Sequence, residues 1–431
     1  MYLSIARSFG GYWHLLRRNA NFRLLWMAQI VSEIGDWFYS IAVYSLLLEL
    51  TGRAESVALA LVLQVLPQAF VGPLAGVVND RISRKRVMIG ADLFRMAVVA
   101  AMLLVTRETA WVIYPLLFLE TIAAAFFEPA RSSVVPNVVR KDELTMANTL
   151  ASTTWSFNLF IGSALGGIAA VLLGREAVFV LDAASFVLSA LLIWSMRFKE
   201  THVAVDRGPL TWKDAVGVTD FVEGTRYITA DRKLLVTVCA KMGIGIVGTA
   251  WVLFPIMGQR TFAIDSFAGM RDSSGMLAMS MLMGARGLGA LIGPLLTAPW
   301  AGLDQRRLRT GILFGFIVMG AGYVVLAGAP GVLFACAAIA LAHMGGSSVW
   351  VFSTTLLHIH TVDRYRGRVF AAELGLCMLS IAVFAFAAGV ALDSGMAPRT
   401  VAAATGLAMV LPATAWALFS RGFSTSASAT S

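Results

Sequence analysis

Apolar residues run in twelve long stretches separated by short polar clusters: 22–48, 55–79, 87–106, 109–134, 147–173, 177–197, 233–258, 275–300, 308–328, 331–355, 369–392 and 399–420. Each is near or above the roughly 20 mainly apolar residues that a helix needs to cross the hydrocarbon core of a bilayer. The pattern predicts an all-α membrane protein with twelve transmembrane helices, its partner surface being the lipid bilayer.

The twelve stretches repeat. An offset of 221 residues carries Gly72-Pro73-Leu74 onto Gly293-Pro294-Leu295, Lys85-Arg86 onto Arg306-Arg307, Ser132 onto Ser353 and Asp142 onto Asp363. One six-helix unit is used twice, so residues 1–197 and 233–431 are expected to form two halves that face the same way, related by an axis along the membrane normal. Residues 198–232 form the one long polar stretch between them. Within it Trp212, Val216, Val222, Tyr227 and Ile228 recur at helical spacing among Lys213, Asp214, Asp220, Glu223 and Arg226. That predicts a short amphipathic helix on the membrane surface, a tether between halves or a partner-binding element. The Ser- and Thr-rich tail from Ser424 is expected to be disordered.

Charge sets the orientation. Of the 34 lysines and arginines, 25 fall at the N-terminus and in the loops on that side, six in the opposite loops, and three (Arg95, Lys241, Arg286) within spans. Positively charged loops stay inside, which predicts cytoplasmic N- and C-termini and a multi-pass membrane protein. The net charge of +9 is therefore topological, and no nucleic-acid partner is expected. Hydrophobic residues make up 58% of the chain and charged ones 14%, too few to clothe a soluble protein. No small-residue cleavage site follows the first apolar run, so that span is expected to be retained. Cys239, Cys336 and Cys377 lie inside apolar segments without paired spacing and read as core residues. Neither a metal nor a cofactor is expected.

Charges inside spans carry the candidate chemistry, because each costs roughly 2.5–3.5 kcal/mol at mid-membrane. Glu33 and Asp36 share one face of span 1, Glu120 lies midway along span 4, Lys241 lies in span 7 and His343 near the centre of span 10. Spans 1, 4, 7 and 10 are equivalent in a repeat of this kind, and these residues are expected to line a central cavity. A carboxylate there can take up and release a proton, and Lys241 or Arg286 can compete with the proton for it. The alternative for each is a structural ion pair, and for His343 an interior hydrogen bond. Asp92 with Arg95, and Glu128 with Arg131, lie toward the basic ends of spans 3 and 4 and read as gating or bracing pairs. Asp182 reads as a packing hydrogen bond.

Gly76-x-x-x-Asp80-Arg81-x-x-Arg84-Lys85, between spans 2 and 3, resembles the signature loop of the major facilitator superfamily, with Ser83 where the pattern has Gly and Asn79 where it usually has Ala. The resemblance implies that Asp80, Arg81 and Arg84 latch the two halves through contact with the start of span 11. Asn21 to Trp26 with Gly35-Asp36-Trp37, Phe127 to Arg131 with Leu144 to Asn148, and Arg366-Gly-Arg368-Val-Phe370 are similar to bacterial exporters of the enterobactin-exporter and macrolide-efflux type. The likeness implies Arg366 and Arg368 as further gate residues, a place in the bacterial inner membrane and a protein that works as a monomer. Drug–proton antiporters carry Gly-Pro-x-x-Gly-Gly in span 5. Here Gly162-Ser-Ala-Leu-Gly166-Gly167 keeps the glycines that let helices approach and lacks the proline.

Two motifs are set aside. His358-Ile-His-Thr-Val-Asp363 has acyltransferase spacing but falls in an interhelical loop, and Gly287-x-Gly289-x-x-x-Gly293 lies within a span with no strand before it. The expected function is a secondary active transporter using alternating access, with proton-coupled export of an amphipathic small molecule of drug, macrolide or siderophore type. A lipid flippase or importer on the same scaffold is the rival, and a membrane-embedded enzyme or sensor the different-class alternative.

Overall fold

The computed structural model describes residues 11–200, 218–264, 266–267, 270–271, 275–362 and 365–420, without the side chains of Ala69, Pro73, Asp80, Thr145 and residues 218–221, 266–267 and 270–271. Six long helices come first: α1 Ala20–Thr51, α2 Ala54–Arg81, α3 Arg84–Ala101, α4 Ile113–Val138, α5 Leu144–Leu173 and α6 Arg175–Ser195. A short helix, α7 Val218–Ala230, precedes α8 Arg232–Ile244 and α9 Ala250–Arg260, which a 3-10 turn at Gly245–Thr249 joins into one rod. Two-residue strands at Ser266–Phe267 and Met270–Arg271 pair before α10 Met276–Ala301, α11 Gln305–Ala327, α12 Val332–His360 and α13 Arg366–Asp393. The last rod is α14 Pro398–Ala408 with α15 Val410–Phe419.

Eleven of these rods are long and apolar enough to cross a membrane among the described residues. The 32-residue α1, carrying Glu33 and Asp36 at its centre, packs beside them against α5 and α6. The protein is a multi-pass membrane protein. Part of the amphipathic stretch expected before residue 218, from Trp212 to Val216, and the tail from Ser424 lie outside the described residues.

Capping explains where the helices begin and stop. The Asn19 side chain accepts from the Phe22 N–H at 3.0 Å, and Gly52 closes α1 with φ 69°. The 221-residue offset reappears in the geometry: Ser83 caps α3 and Asp304 caps α11, while Gly174 (φ 86°) and Gly395 (φ 96°) occupy matching loops.

The N-terminal helices α1–α6 and the C-terminal helices α8–α15 meet where α5 packs on α10 and α2 on α13. The contacts are tight toward the end remote from the basic loops. A Cβ at Gly287 would sit 2.6 Å from the Phe160 backbone nitrogen, and one at Gly167 would strike Ser280. At that end Asp393 of α13 accepts the Ala54 and Glu55 N–H groups of α2, both at 2.8 Å, and Arg260 donates to the Gly52 carbonyl at 2.8 Å. One apolar core runs through both groups here.

At the basic end the cores separate. Leu16, Phe22, Met88, Val134 and Met196 form one cluster within the N-terminal helices; Ile228, Leu234, Leu357 and Val369 form another within the C-terminal ones. Among the described residues no apolar cluster spans both groups at that end. The bundle is sealed at one end and parted at the other, basic, end.

Candidate transport cavity

The central charges are placed by close helix crossings. Gly35 lets α1 press on Asp182 and Ser185 of α6, where any side chain would collide. Gly162 and Gly166 let α5 abut Trp37 and Phe38, and Gly167 of the same helix abuts Ser280 of α10. These contacts fix the rotation of α1 and so aim Asp36.

Asp36 meets Arg95 of α3, whose Nη2 lies 2.5 Å from Oδ1. The same guanidinium binds Glu120 of α4 at 2.7 Å and lies 4.1 Å from the centroid of Phe186. Arg95 thus bridges two carboxylates from two helices. The Arg95 and Glu120 side chains are 6% and 10% exposed, whereas Asp36 is 33% exposed, so Asp36 is the member that solvent reaches. With both acids ionised the triad carries one net negative charge in a medium that penalises it, and binding one proton or one cationic group neutralises it.

The pairing differs from the sequence reading. Asp92 and Arg95 do not pair with each other: Asp92 accepts from Ser189 at 2.6 Å and Arg95 turns to Asp36 and Glu120. Helix α3 starts at Arg84, so Arg95 lies past its middle, at the depth of Asp36, rather than near its basic end. Asp182 accepts from Ser185 at 3.4 Å beneath Gly35.

Glu33, one turn toward the basic end, receives hydrogen bonds from Gln29 and Asn158, both at 2.8 Å. Gln29 in turn accepts from Arg131 at 2.9 Å, and Arg131 pairs with Glu128 at 2.7 Å, whose side chain is 54% exposed. A polar chain therefore runs from mid-bundle to the basic surface.

In the C-terminal helices Lys241 pairs with Glu373 of α13, donates to Thr354 at 2.9 Å and lies 3.8 Å from the Trp350 ring centroid. Its side chain is only 3% exposed, so it is turned into its own helix group and not toward the parted faces. His343 is likewise interior, 3.2 Å from the Tyr323 hydroxyl. The expectation that both line the central cavity is corrected: Trp350 of α12 and Glu373 of α13 enclose Lys241, and Phe254 of α9 and Tyr323 of α11 enclose His343. Glu373 is a partner that the sequence pattern does not single out. It stands early in the span 369–392, and its pairing across 132 positions of sequence leaves no local signal.

Arg286 of α10 lies 3.9 Å from the Trp251 ring centroid. Trp251 stacks on Trp37 with centroids 6.0 Å apart and planes 10° apart, and Trp155 meets Trp37 edge-on. This aromatic column crosses between the two helix groups one residue from Asp36.

At the basic end Arg84 donates to the Ser133 carbonyl at 2.9 Å, and Lys85 to the Trp194 and Met196 carbonyls at 2.8 and 2.6 Å. A Cβ at Gly76 would meet nothing within 4 Å. The Asp80 side chain lies outside the described residues. Arg368 pairs with Glu223 of α7 at 2.6 Å, and Tyr227 stacks on Tyr365 with centroids 4.4 Å apart, so α7 is docked on the start of α13. Arg81 and Arg366 lie at this end too, on α2 and α13.

A sealed bundle of apolar helices, parted at one end above a buried charge cluster, is a transporter's architecture. The sequence model of the Major Facilitator Superfamily matches residues 25–373. The chain belongs to the Major Facilitator Superfamily. Macrolide efflux protein A of Streptococcus pyogenes is 24% identical over 368 residues, covering 84% of this chain and 87% of that protein. Macrolide efflux protein A of Enterococcus faecalis is 24% identical over 338 residues, covering 77% and 99%. The crystal structure of the nucleoside transporter NupG shares the fold with a TM-score of 0.71 at 12% identity, over 93% of this chain and 100% of that one. A peptide transporter POT in complex with alafosfalin gives 0.73 at 14%, over 94% and 95%. The chain is thus a superfamily membrane transporter with efflux-type relatives, and not an enzyme.

Proposed function

We propose that this transporter is a proton-coupled exporter of amphipathic small molecules. It crosses the bacterial inner membrane twelve times, as two six-helix halves with both termini in the cytoplasm, and works as a monomer. The observation that carries the reading is the shared guanidinium: Arg95 holds Asp36 and Glu120 at once, and solvent reaches Asp36.

The bias of positive charge to one side favours the parted end as cytoplasmic, so the conformation is inward-facing. In it Asp36 is paired with Arg95, the arrangement of a carboxylate that has given up its proton. Rocking α1–α6 against α8–α15 opens the other end; a proton arriving there neutralises Asp36 and frees Arg95 to hold Glu120 alone. Closing that end and parting the basic end returns the proton to the cytoplasm as the Asp36–Arg95 pair re-forms. Substrate enters on the inward-facing form and leaves on the protonated outward-facing form. Each proton brings about 2.3 kcal/mol per 100 mV of potential and about 1.4 kcal/mol per pH unit, enough for roughly thousandfold accumulation at ordinary gradients. The relatives named for macrolide efflux favour outward transport. The chain Glu33–Gln29–Arg131–Glu128 offers the proton a route to the basic surface, and the loop from Gly76 to Lys85 with Arg366 and Arg368 forms the inner gate.

The test is uptake into inside-out vesicles under an imposed proton gradient, with lipophilic cations, a macrolide, a catechol siderophore and a lysophospholipid as substrates. Gradient-dependent accumulation of one of them supports the reading. Accumulation that ignores the gradient refutes the proton coupling, and gradient-independent movement of the lysophospholipid alone favours a flippase.

A further inference from the structure

Arg286 stands apart from the other intramembrane charges. Arg95, Lys241, Glu33, Asp36, Glu120 and Glu373 each have a charged or hydrogen-bonding partner. Among the described residues Arg286 has neither an ion pair nor a hydrogen bond, and its Nη1 is buried with no partner. The titratable groups within electrostatic reach are Tyr44, Tyr323 and His343. None of these supplies a negative charge at neutral pH, and an arginine stays protonated.

The place of this cation is specific. It stands on α10, the helix that α5 packs against across the seam, and its guanidinium lies over Trp251. Trp251 continues onto Trp37, so a flat apolar surface leads from Arg286 toward Asp36. A guanidinium fork with a free buried nitrogen matches a carboxylate or phosphate, and stacked indoles match an aromatic or hydrophobic body. We infer that Arg286 is the receptor for an anionic group, carboxylate or phosphate, on a substrate whose apolar body lies along Trp251 and Trp37. The inference deepens the export reading and rests on its claim that the space between the helix groups is the substrate path.

On this account the substrate brings the missing counter-ion to the C-terminal side while the proton serves the acidic triad. Anion and proton then occupy separate sites.

The test is a binding measurement on the purified full-length protein in detergent, by quenching of tryptophan fluorescence. The probes are 2-naphthoate and its uncharged analogue 2-naphthamide. The wild type should bind the carboxylate at least tenfold more tightly, about 1.4 kcal/mol. Arg286→Met should erase that preference and leave naphthamide binding intact, which also shows that the variant is folded. Arg286→Lys should retain part of the preference, and Trp251→Phe should weaken both probes alike. Displacement of naphthoate by lysophosphatidate would support a lipid headgroup as the source of the anion, and its failure would support a free acid. Equal affinity for the two probes, no binding of either, or a preference that survives in Arg286→Met would overturn the assignment. Because the assay uses no gradient, that failure leaves the export test standing, and a failed export test leaves this one standing.

Discussion

Consider removing one member of the Lys241–Glu373 pair. The two side chains are 3% and 2% exposed, so Glu373→Gln leaves an ammonium with only Thr354 and the Trp350 face for company. Leaving one charge of a buried pair uncompensated costs about 3–5 kcal/mol, of which the ring returns at most about 2 kcal/mol. A net loss of about 1–5 kcal/mol is therefore expected for Glu373→Gln, and about 3–5 kcal/mol for Lys241→Met, which leaves the carboxylate without a ring contact. Replacing both by methionine removes both desolvation penalties and should come within about 1 kcal/mol of the wild type. Equilibrium unfolding of the purified protein in mixed detergent micelles measures all four corners of the cycle. A coupling of at least 2 kcal/mol is predicted, together with substantial transport in the double variant, because the pair is a brace inside one helix group. Additive losses would refute the pairing, and a stable double variant that does not transport would refute the bracing role.

Two further perturbations act where the helix groups meet. Gly287→Val, midway along α10, puts a side chain where the Phe160 backbone stands 2.6 Å from a Cβ; it should force α5 and α10 apart, hold the sealed end open and cut transport at least tenfold, with folding intact by thermal melting. Asp393→Ala removes the acceptor for two N–H groups of α2, a cap worth about 1 kcal/mol. It should shift the balance toward the form open at that end about fivefold, seen as a longer distance between spin labels at the exposed positions Glu108 and Met396. An unchanged distance distribution would show that the cap does not contribute to closure.

The long elements were legible because a bilayer demands continuous apolar helices, and the runs at 275–300 and 399–420 coincide with helical rods within a few residues. The break in 233–258 was not: Gly245 and Gly248 press on Ser380 and Ile381 of α13, and that close approach is tertiary. The same limit governs the site. Asp36 and Glu120 stood out as charges in apolar surroundings, but their link through Arg95 joins residues 59 and 25 positions apart. Counting Arg95 from a predicted helix start at 87 also set it too near the basic end. Arg286 was visible as a charge, while its lack of a partner is a fact of packing that no local pattern encodes.

The most direct test of proton-coupled export is a simultaneous record of both fluxes in proteoliposomes holding a trapped pH dye. Adding a substrate identified in the vesicle screen should drive protons in the opposite direction, and Asp36→Asn should abolish that proton movement while substrate-for-substrate exchange continues. Substrate flux with no proton movement in the wild type, or equal proton movement in Asp36→Asn, would contradict the account.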